Sequence, residues 1–509
     1  MKEFDLVIVG SGVGLTVLNE ALERGLKCAL VEDGKLGGTC LTRGCIPSKV
    51  LIYPADIIRL AEHAKKVGVF LKLEKLDWNL LAERMWSQID ESKEMEKGLA
   101  KVPEVEVFRG IAEFTGDYTM KVKLHEGGKY SEEFKGEKIV LASGARSFIP
   151  PIQGIEETGY VTNESFFDEK FPTKPYESLI IIGGGVIAAE FAHMFSAFGT
   201  KVTIVEMLPR LVTTEEPEIS ALLLKVFLKR MTVHLNKKAI VARKEGNLKV
   251  LTLEETGTGK RQEVKAQEIL IAGGRKSNAD LLKVEKTGVD VDQRGWIKTN
   301  EFLETSKKNI WTIGDANGLF QFRHKANTEA EICTQNIFNN VKARVDYSAV
   351  PWVIFTDPQI GHVGMTEAEA IASGHQIYVA RKNYSTVAKG FAMGYERGDT
   401  DDGFFKLIVD KSYQILGAHV IGPQAETLIQ PFVYLMNAGF TCAPPVEQVG
   451  TPIPKLRRAC PEGGSFFPIY RSMVVHPSLN EVTGWAIGSL RPVNIPHEHD
   501  HKHEHEQEE

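Results

Sequence analysis

Apolar residues along the chain gather in short runs of strand length, and two of these runs lead directly into glycine-rich turns. The first run is FDLVIVG, followed by SGVG, and the second is SLIIIGG, followed by GVIAAE. A helical stretch and a second apolar run come after each turn: KCALVE ends at Glu32, and KVTIVE ends at Glu206. Each region therefore predicts a βαβ unit.

The spacing within the two units is nearly the same, with 22 positions from Gly10 to Glu32 and 23 from Gly183 to Glu206. In such a unit the glycine turn lets a pyrophosphate approach a helix N-terminus, and the acid accepts hydrogen bonds from ribose hydroxyls. A single glycine fingerprint is weak evidence, because close strand–helix packing also selects glycine. Two complete units favour two dinucleotide sites, although Leu15 occupies the position of the third small residue in the first copy.

Further apolar runs close both nucleotide regions, EKIVLASGARSFIP in the first and EILIAGGRKSN in the second. The run KNIWTIGDANG places Asp315 beside glycine, either as a turn residue or as a group that hydrogen-bonds a ribityl or phosphate region. From about residue 347 alternating strands and the long apolar helix AETLIQPFVYLMNAGF carry no nucleotide signature. We therefore predict the α/β class, with two Rossmann-like domains and a C-terminal α+β domain.

Composition excludes several classes of protein. Apolar residues make up 43% and charged residues 25%, and the longest apolar runs are too short to span a membrane. The net charge is −6, of which the last 13 residues carry −5, so the nearly neutral remainder argues against nucleic acid as a partner. The start, MKEFDLVIVG, has no signal-like segment, and six cysteines in 509 residues fit a reducing cytoplasm.

Two of the six cysteines, Cys40 and Cys45, lie close together in GGTCLTRGCIPSK. On a regular helix they would lie about 7.5 Å apart along the axis, beyond the reach of a disulfide, so a bond between them requires an irregular turn that Gly44 permits. Pro47 suits the first turn of a helix, which places Cys45 just before its N-terminus. A thiolate there is stabilised by the helix end and by Lys49. A redox pair, two unrelated buried cysteines and half a metal site all remain open.

The motifs together resemble those of the pyridine nucleotide–disulfide oxidoreductases, the flavoenzyme family that includes dihydrolipoyl dehydrogenase, glutathione reductase and mercuric reductase. The resemblance covers about residues 4 to 488. It rests on GSGVG, GGTCLTRGCIPSK, GGGVIAAE, KVTIVE, AGGRKSN, IGDANG, VPWVIFTDPQIGHVGMT and VVHPSLNEV. It implies FAD in the first βαβ unit, a nicotinamide nucleotide in the second, and a homodimer.

The resemblance also implies the roles of the reactive residues. Cys40 is the thiol that exchanges with substrate, and Cys45 lies against the flavin as the charge-transfer thiolate. Lys49 pairs with Glu190 near flavin N5. His476 and Glu481 form the acid–base pair, and in the family this histidine acts on the disulfide of the partner subunit, so a monomer should be inactive.

The remaining cofactor contacts implied by the resemblance form two sets. For FAD they are Gly10, Gly12, Gly14, Glu32, Gly38, Thr39, Lys49, Ala112, Gly144, Asp315 and Arg323. For the nicotinamide nucleotide they are Gly183, Gly185, Glu190, Glu206 and Gly274. No metal ligands are predicted in the folded core.

Glu206 favours NAD over NADP, because a carboxylate accepts hydrogen bonds from a free 2′-hydroxyl and repels a 2′-phosphate. The arginines of NADP-using relatives are replaced by Met207 and Thr213, although Ala188 leans mildly towards NADP.

Cys442 and Cys460 are not adjacent, as mercuric reductase would need, and no cysteine follows Cys460. Elimination favours dihydrolipoyl dehydrogenase, acting on a lipoyl-bearing protein or a small thiol. The alternatives are an NAD(P)H-dependent reductase of glutathione, mycothiol or coenzyme A disulfide, or of Hg²⁺.

Two features depart from the family pattern, and the C-terminal tail raises a separate question. Thr42 and Arg43 bring an unexpected cation near the cysteine pair. The stretch 441–475 is longer than usual and is either a neutral surface loop or a lid that narrows substrate choice or docks a lipoyl-bearing partner. The C-terminal tail is either a solvated segment or a metal-holding appendage, with candidate ligands His497, His499, His501, His503 and His505. A scaffold flavoprotein without activity is the remaining alternative.

The predicted domain boundaries follow from these signals. They are an FAD-binding domain (1–150), an NAD-binding domain (151–272), a central domain that completes the FAD site (273–346), an interface domain (347–490) with the insertion at about 441–475, and the tail (491–509).

Overall fold

A computed structural model describes residues 1–411, 413–438, 467–470 and 472–477. Within these ranges the strands are β1 (Lys2–Val9), β2 (Cys28–Glu32), β3 (Val105–Gly116), β4 (Thr119–Leu124), β5 (Phe134–Leu141), β6 (Ala145–Ser147), β7 (Ser178–Ile182), β8 (Lys201–Val205), β9 (Thr232–His234), β10 (Lys237–Glu245), β11 (Leu248–Glu255), β12 (Arg261–Ala266), β13 (Glu268–Ile271), β14 (Arg275–Ser277), β15 (Ile310–Thr312), β16 (Pro351–Ile354), β17 (Ile360–Gly364), β18 (Ile377–Asn383), β19 (Phe404–Asp410) and β20 (Ile415–Ile421).

The helices in the same ranges are α1 (Gly14–Glu23), α2 (Gly38–Thr42), α3 (Cys45–His63), α4 (Trp78–Ile89), α5 (Glu91–Leu99), α6 (Ile155–Thr158), α7 (Asn163–Phe166), α8 (Val186–Ala197), α9 (Pro217–Leu228), α10 (Ala279–Leu282), α11 (Arg323–Phe338), α12 (Glu367–Ala372), α13 (Ala388–Ala392), α14 (Ala425–Ala438) and α15 (Phe467–Tyr470). Short 3₁₀ turns occur at Ala64–Val67, Val284–Thr287, Gly314–Asn317 and Tyr384–Thr386.

The first sheet is built around β1, which pairs in parallel with β2 on one side and β5 on the other. Strands β3 and β15 extend the parallel part, and β4 pairs antiparallel with β3. Val7 lies between Ala29 and Ile139 in this register, and all three side chains are fully buried. Strands covered on both faces have no polar side, which explains the continuous apolar run of β1.

The second sheet repeats this arrangement on a smaller scale. Its order is β13-β7-β8-β9, and every pair is parallel. The antiparallel meander β10-β11-β12 packs beside it, and β14 and β6 form a separate two-stranded ribbon. The β1-α1-β2 and β7-α8-β8 units lie where the apolar runs predict them, and the α/β class is confirmed.

The third sheet is antiparallel, in the order β16-β17-β20-β19-β18. Helix α14 packs on β17 and β20, and α8 contacts β16. The largest apolar cluster joins this sheet to the second sheet and to helix α3 of the first unit, with Leu51 of α3, Phe191 of α8 and Ile354 of β16 all buried in it. The strands of the first sheet pack in two separate apolar clusters.

Among the described residues, no helix combines the length and the apolar character needed to cross a membrane.

Candidate active site

The two cysteines predicted to be reactive lie on either side of a break between two helices. Cys40 belongs to the short helix α2, and Cys45 is the first residue of α3. The break falls at Arg43 and Gly44, where a Cβ on Gly44 would lie 2.8 Å from the carbonyl oxygen of Thr39. The irregular turn expected from Gly44 is therefore present, and Pro47 lies in the first turn of α3. Both cysteines are half-buried free thiols.

The environment of the two thiols separates their proton affinities. A hydrogen bond from Cys40, reinforced by the charges of Lys49 and His476, outweighs burial and lowers the pKa of Cys45 to about 6. The same hydrogen bond and burial raise the pKa of Cys40 well above its ordinary value. Cys45 is therefore a thiolate at neutral pH, while Cys40 keeps its proton.

His476 lies directly against the thiol of Cys40. Its Nε2 atom is 3.2 Å from Sγ of Cys40, and the side chain of Gln430 in α14 holds the segment that carries it. Gln430 donates to the carbonyl oxygen of Met473 at 3.1 Å and accepts from the backbone N–H of Val475 at 3.0 Å. The imidazole is within reach of the proton that Cys40 keeps.

This contact lies within one chain, where Gln430 anchors residues 473–475 to α14, and α14 packs on the third sheet. The implied action of His476 on the disulfide of the partner subunit stays a prediction.

Lys49 and Glu190 form an ion pair behind the thiols. Nζ of Lys49 donates to Oε2 of Glu190 at 2.8 Å, and Oε1 of Glu190 accepts from the backbone N–H of Phe355 at 3.1 Å. The Lys49 ammonium also lies 4.6 Å from the centre of the Phe355 ring. The pair links α3 of the first unit to α8 of the second, and its ammonium is held next to the Cys45 thiolate.

Arg323, like Lys49, brings positive charge near the thiols. The charge of Arg323, at the start of α11, acts on Cys40. The guanidinium of Arg43 instead covers Gly34, where a Cβ would lie 2.2 Å from Nη2 and 3.4 Å from Oε1 of Glu32. The guanidinium of Arg43, which follows directly after α2, therefore lies towards the carboxylate of Glu32. Its expected effect on the cysteine pair stays a prediction.

Sequence reasoning missed His324, which also faces this site. Its Nε2 atom lies 2.6 Å from the carbonyl oxygen of Pro351, and its ring stacks on Phe322. Burial, together with the nearby charge of His476, lowers the pKa of His324 to about 4. This imidazole is neutral at neutral pH and positions the start of α11. The adjacent Arg323 offered the only sequence signal for it.

The first glycine turn is closed by backbone contacts. A Cβ on Gly10 would lie 2.2 Å from the carbonyl oxygen of Ala142, and one on Gly38 would lie 2.6 Å from Cα of Gly12. Gly14 begins α1 and packs against Ile8. Side chains would fill this cradle at the positive end of α1, so the backbone fits the pyrophosphate of a dinucleotide.

Glu32 lies at the predicted ribose position, at the end of β2. Its Oε2 accepts from the N–H and the hydroxyl of Ser11 at 2.7 and 2.6 Å, and its Oε1 accepts from the N–H of Gly34 at 2.6 Å. Each carboxylate oxygen can accept more than one hydrogen bond, so a ribose hydroxyl can still bind there.

Asp315 lies in the 3₁₀ turn after β15, and its predicted contact with the ribityl or phosphate region of FAD stays a prediction. A fully buried ion pair supports this turn: Nζ of Lys325 is 2.9 Å from Oε1 of Glu329. Lys325 also donates to the carbonyl oxygen of Gly314 at 3.1 Å, and Glu329 accepts from the Gly314 N–H at 2.7 Å. The pair was not anticipated, because a charged i, i+4 pair on a helix is usually exposed.

Three other residues predicted to contact FAD lie in three separate parts of the first unit. Thr39 lies in α2 beside the thiols, and Gly144 lies in the loop after β5 with a φ of 63°. Ala112 is buried in β3 and pairs with Val122 of β4 in the core of the first sheet.

The second glycine turn has the same design as the first. A Cβ on Gly183 would lie 2.3 Å from the carbonyl oxygen of Ala272, while one on Gly185, the residue before α8, would meet no atom within 4 Å. Ala188 is fully buried in α8, and Gly274 adopts a φ of 126° just after β13. The turn leaves open space at the N-terminus of α8, where a pyrophosphate fits.

Glu206 closes the second unit. Its Oε1 accepts from the N–H of Leu208 at 2.8 Å, and its Oε2 takes no hydrogen bond from the described part of the chain. Met207 is exposed, and the nearby Arg210 is held by the carbonyl oxygens of Thr213 and Glu215, each at 3.3 Å. Sequence reasoning did not consider Arg210.

A mostly apolar pocket of about 450 Å³ opens beside the ion pair. It is lined by one face of α3, by α4 and by the residue after His476. The lining residues are Ile46, Lys49, Val50, Tyr53, Pro54, Ile57, Leu81, Arg84 and Pro477.

Several predicted features lie outside the described residues. These are Glu481, nearly all of the insertion 441–475, and the tail histidines.

Comparisons with known proteins agree with this geometry. A family model described as pyridine nucleotide-disulphide oxidoreductase matches residues 4–330, and the dimerisation domain of that family matches residues 350–463. Mycothione reductase of Mycobacterium tuberculosis (strain ATCC 25618 / H37Rv) is 32% identical over 455 residues, covering 87% of this chain and 95% of that protein. Dihydrolipoyl dehydrogenase of Chlamydia muridarum (strain MoPn / Nigg) is 30% identical over 506 residues, covering 97% of this chain and 98% of that protein.

Among solved structures, the Cu(II) complex of the HOCl-induced flavoprotein disulfide reductase RclA from Escherichia coli superposes with a TM-score of 0.74 at 26% identity. The match covers 96% of this chain and 100% of RclA. The family uses FAD and NAD(P), and its dimerisation domain supports a homodimer. The chain is an oxidoreductase and belongs to the class I pyridine nucleotide-disulphide oxidoreductase family.

Proposed function

We propose that this oxidoreductase is an FAD-dependent dihydrolipoyl dehydrogenase that uses NAD⁺. The observation that carries the proposal is the cluster of Cys40, Cys45 and His476, whose donor atoms all lie within 4.8 Å of one another beside the Lys49–Glu190 pair. In the overall reaction a dihydrolipoyl dithiol loses two electrons and two protons to become a cyclic disulfide. NAD⁺ takes up a hydride, and one proton is released.

The chain's own residues divide the work by their proton affinity. Substrate thiolate attacks the oxidised pair at Cys40, which is the sulfur that faces His476. His476 takes the proton of the first substrate thiol at Nε2. The second substrate thiol then displaces Cys40 from the mixed disulfide, and its proton passes to the Cys40 sulfur as the cyclic disulfide of the product forms. Cys45 leaves as a thiolate, because its pKa of about 6 keeps it ionised at neutral pH.

FAD, when bound, supplies a two-electron carrier between the thiols and the nicotinamide. Lys49 and Glu190 hold a fixed ammonium–carboxylate pair on the path between the two βαβ units, and the Phe355 N–H fixes the orientation of the carboxylate. Within the pair, the charge of Lys49 stabilises negative charge on Cys45, and the charge of Glu190 opposes it.

The preference for NAD⁺ rests on the free Oε2 of Glu206. A carboxylate oxygen that the chain leaves without a donor can accept the 2′-hydroxyl of the adenosine ribose and repels a 2′-phosphate. Arg210 is the nearby cation that could offset this repulsion, but two backbone carbonyls already hold it.

The preference for a lipoyl substrate rests on the pocket beside Lys49. Seven of its nine lining residues are aliphatic, aromatic or proline, which suits the hydrocarbon arm of a lipoyl group. The cations Lys49 and Arg84 in the same lining leave room for a second candidate, a reductase of a bulkier polar disulfide such as that of mycothiol.

The experiment is an anaerobic titration of the purified protein with NADH, followed by turnover on a panel of substrates. The panel contains dihydrolipoamide with NAD⁺, and NADH or NADPH with mycothiol disulfide, glutathione disulfide, coenzyme A disulfide and Hg²⁺. We expect the highest kcat/KM for dihydrolipoamide with NAD⁺ and loss of turnover in Cys40→Ser. A higher kcat/KM on another disulfide, lost in the same variant, would replace the proposed substrate and keep the family chemistry.

A further inference from the structure

A second cluster of buried polar side chains lies away from the thiols. Glu215, just before α9, meets His362 of β17 and His419 of β20, which are direct cross-strand partners in the third sheet. The three side chains are 0–8% exposed, and one donor atom from each lies within 4.8 Å of the others. The cluster joins the segment that follows the predicted NAD site to the interface domain.

Each imidazole in the cluster faces a hydrogen-bond acceptor at both ring nitrogens. Nε2 of His362 lies 2.9 Å from the carbonyl oxygen of Gly364, and its Nδ1 lies 3.1 Å from Oε1 of Glu215. Nε2 of His419 lies 3.0 Å from the carbonyl oxygen of Met365, and its Nδ1 lies 3.2 Å from Oε2 of Glu215. A neutral imidazole carries only one N–H, so two neutral rings leave two acceptors facing lone pairs.

Two arrangements satisfy all four contacts. In the first, both histidines are imidazolium ions that share one carboxylate. In the second, both are neutral, each Nε2–H binds its carbonyl oxygen, and one divalent cation takes the place of the two Nδ1 protons. Both arrangements bring two positive charges to the carboxylate.

Ring geometry favours the second arrangement. The centres of the two rings are 4.6 Å apart, so two imidazolium ions would repel each other inside the core. The neighbouring Glu216 offsets this repulsion only in part, because its carboxylate lies 3.9 Å from His419 and also pairs with Lys406 at 3.0 Å. A single cation between neutral rings removes the repulsion.

We propose that Glu215, His362 and His419 bind a divalent transition-metal ion, Zn²⁺ being the best match to the ligand types. The two Nδ1 atoms and one carboxylate oxygen supply three protein donors, a two-histidine, one-carboxylate set that zinc accepts with a water molecule as the fourth ligand. The Oε2 atom of Glu215 also accepts from the N–H of Glu216 at 3.0 Å, which orients the carboxylate. Each Nε2–H is donated to a backbone carbonyl, which fixes the tautomer as the outer partners of metal-bound histidines do. The ion pins the region of the predicted NAD site to the third sheet, and no step of the thiol chemistry depends on it.

This proposal revises the expectation that the folded core holds no metal. A matched control exists in His193, whose buried imidazole lies 2.8 Å from Asp56 with no second histidine in that pair. A carboxylate with one imidazole needs no cation, because a single N–H satisfies it. Trp352 stacks on His362 with the ring centres 4.5 Å apart, so it offers a local fluorescence reporter.

The experiment uses the full-length protein with other candidate metal ligands removed. In this parent, Cys40, Cys45, Cys442 and Cys460 are changed to Ser, and the five tail histidines are changed to Gln. Equimolar Zn²⁺ is added, unbound metal is removed by gel filtration, and bound zinc is measured by mass spectrometry. We expect one ion per chain in the parent and in His193→Gln, and loss of that ion in Glu215→Gln and His419→Gln. Zn²⁺ should also raise the Tm of the parent but not that of Glu215→Gln.

The alternative arrangement predicts a different result. If the parent retains no zinc above the level of Glu215→Gln, the cluster is a pair of imidazolium ions and the metal proposal is overturned. Circular dichroism and flavin content show whether each variant folds. If the Gln variants do not fold, the parent alone decides the question, because failure of the folded parent to bind one ion contradicts the proposal.

Discussion

The two βαβ units share one backbone design but differ in how they are closed. Gly10 and Gly183 approach the carbonyl oxygens of Ala142 and Ala272 in the same way. Their N–H groups donate to Val31 and Val205, each at 2.8 Å. The difference lies in what covers the turn. In the first unit, Gly38 at the start of α2 packs on Gly12. In the second unit, a Cβ on Gly185 would meet no atom within 4 Å.

The two terminal acids show the same contrast. Ser11 binds Oε2 of Glu32 through both its N–H and its hydroxyl, while Oε2 of Glu206 takes no hydrogen bond from the described residues. One sequence pattern has thus produced a closed, internally bonded turn and an open one. A closed turn suits a cofactor that stays bound, such as FAD, and an open turn suits a nucleotide that exchanges in every catalytic cycle.

The largest expected effect comes from filling the two turns in parallel. Gly10→Val places side-chain atoms against the Ala142 carbonyl at a positive φ, so we expect protein without bound flavin or with much reduced yield. Gly183→Val makes the matching change in the second unit and should keep the flavin while losing reduction by NADH. Flavin absorbance per chain and anaerobic reduction by NADH measure the two effects. Equal flavin loss in both variants would contradict a division of labour between the units.

The next effect concerns whether the His476 that contacts Cys40, beside the closed turn, belongs to the same chain or to the partner subunit. The contact between His476 and Cys40 of one chain predicts that Cys40→Ser and His476→Ala chains cannot complement each other. Hybrid dimers, made by co-expression with two affinity tags, should be no more active in dithiol oxidation than either homodimer. Recovery of one working site per hybrid would show instead that the segment crosses to the partner subunit, as the family resemblance implies.

A smaller effect is expected at the open turn. Glu206→Ala removes the acceptor for the ribose hydroxyl, and loss of a charge-assisted hydrogen bond should raise KM for NADH about tenfold or more. Flavin content should not change, and discrimination against NADPH should weaken because the repulsive charge is gone. Steady-state kinetics with both nucleotides provide the measurement. An unchanged ratio of kcat/KM for NADH and NADPH would show that Glu206 does not select the nucleotide.

The units were predictable because their signals are local. The apolar run, the glycine turn and the terminal acid all lie within one βαβ unit, and the break at Gly44 follows from residues next to it. Local signals did not predict three other features. These are the orientation of Arg43, the buried Lys325–Glu329 pair and the contact of His476 with Cys40 within one chain. Each depends on which distant surface the side chain meets after folding. The cluster of Glu215, His362 and His419 is the clearest case, because its members come from three separate elements.

The smallest effect tests the link between the two units, since Lys49 of α3 and Glu190 of α8 act on Cys45 in opposite directions. Positive charge from Lys49 lowers the pKa of Cys45 and negative charge from Glu190 raises it. Cys45 is therefore a thiolate above about pH 6. Lys49→Met should shift the appearance of the thiolate to higher pH, and Glu190→Gln should shift it to lower pH. Trypsin cuts after Arg43, so peptide mass spectrometry resolves the alkylation of Cys45 from that of Cys40 in reduced protein.

The measured quantity is the pH at which iodoacetamide labelling of Cys45 is half-maximal, because only the thiolate reacts. Lys66→Met removes a lysine whose ammonium is paired with Asp399 and Asp401 away from the thiols, and it should leave the midpoint unchanged. Midpoints that move in the same direction in Lys49→Met and Glu190→Gln would mean that the ion pair acts on the thiol through structure alone. Opposite shifts would show that Glu190 of the second unit and Lys49 of the first act on the Cys45 thiolate through their charges.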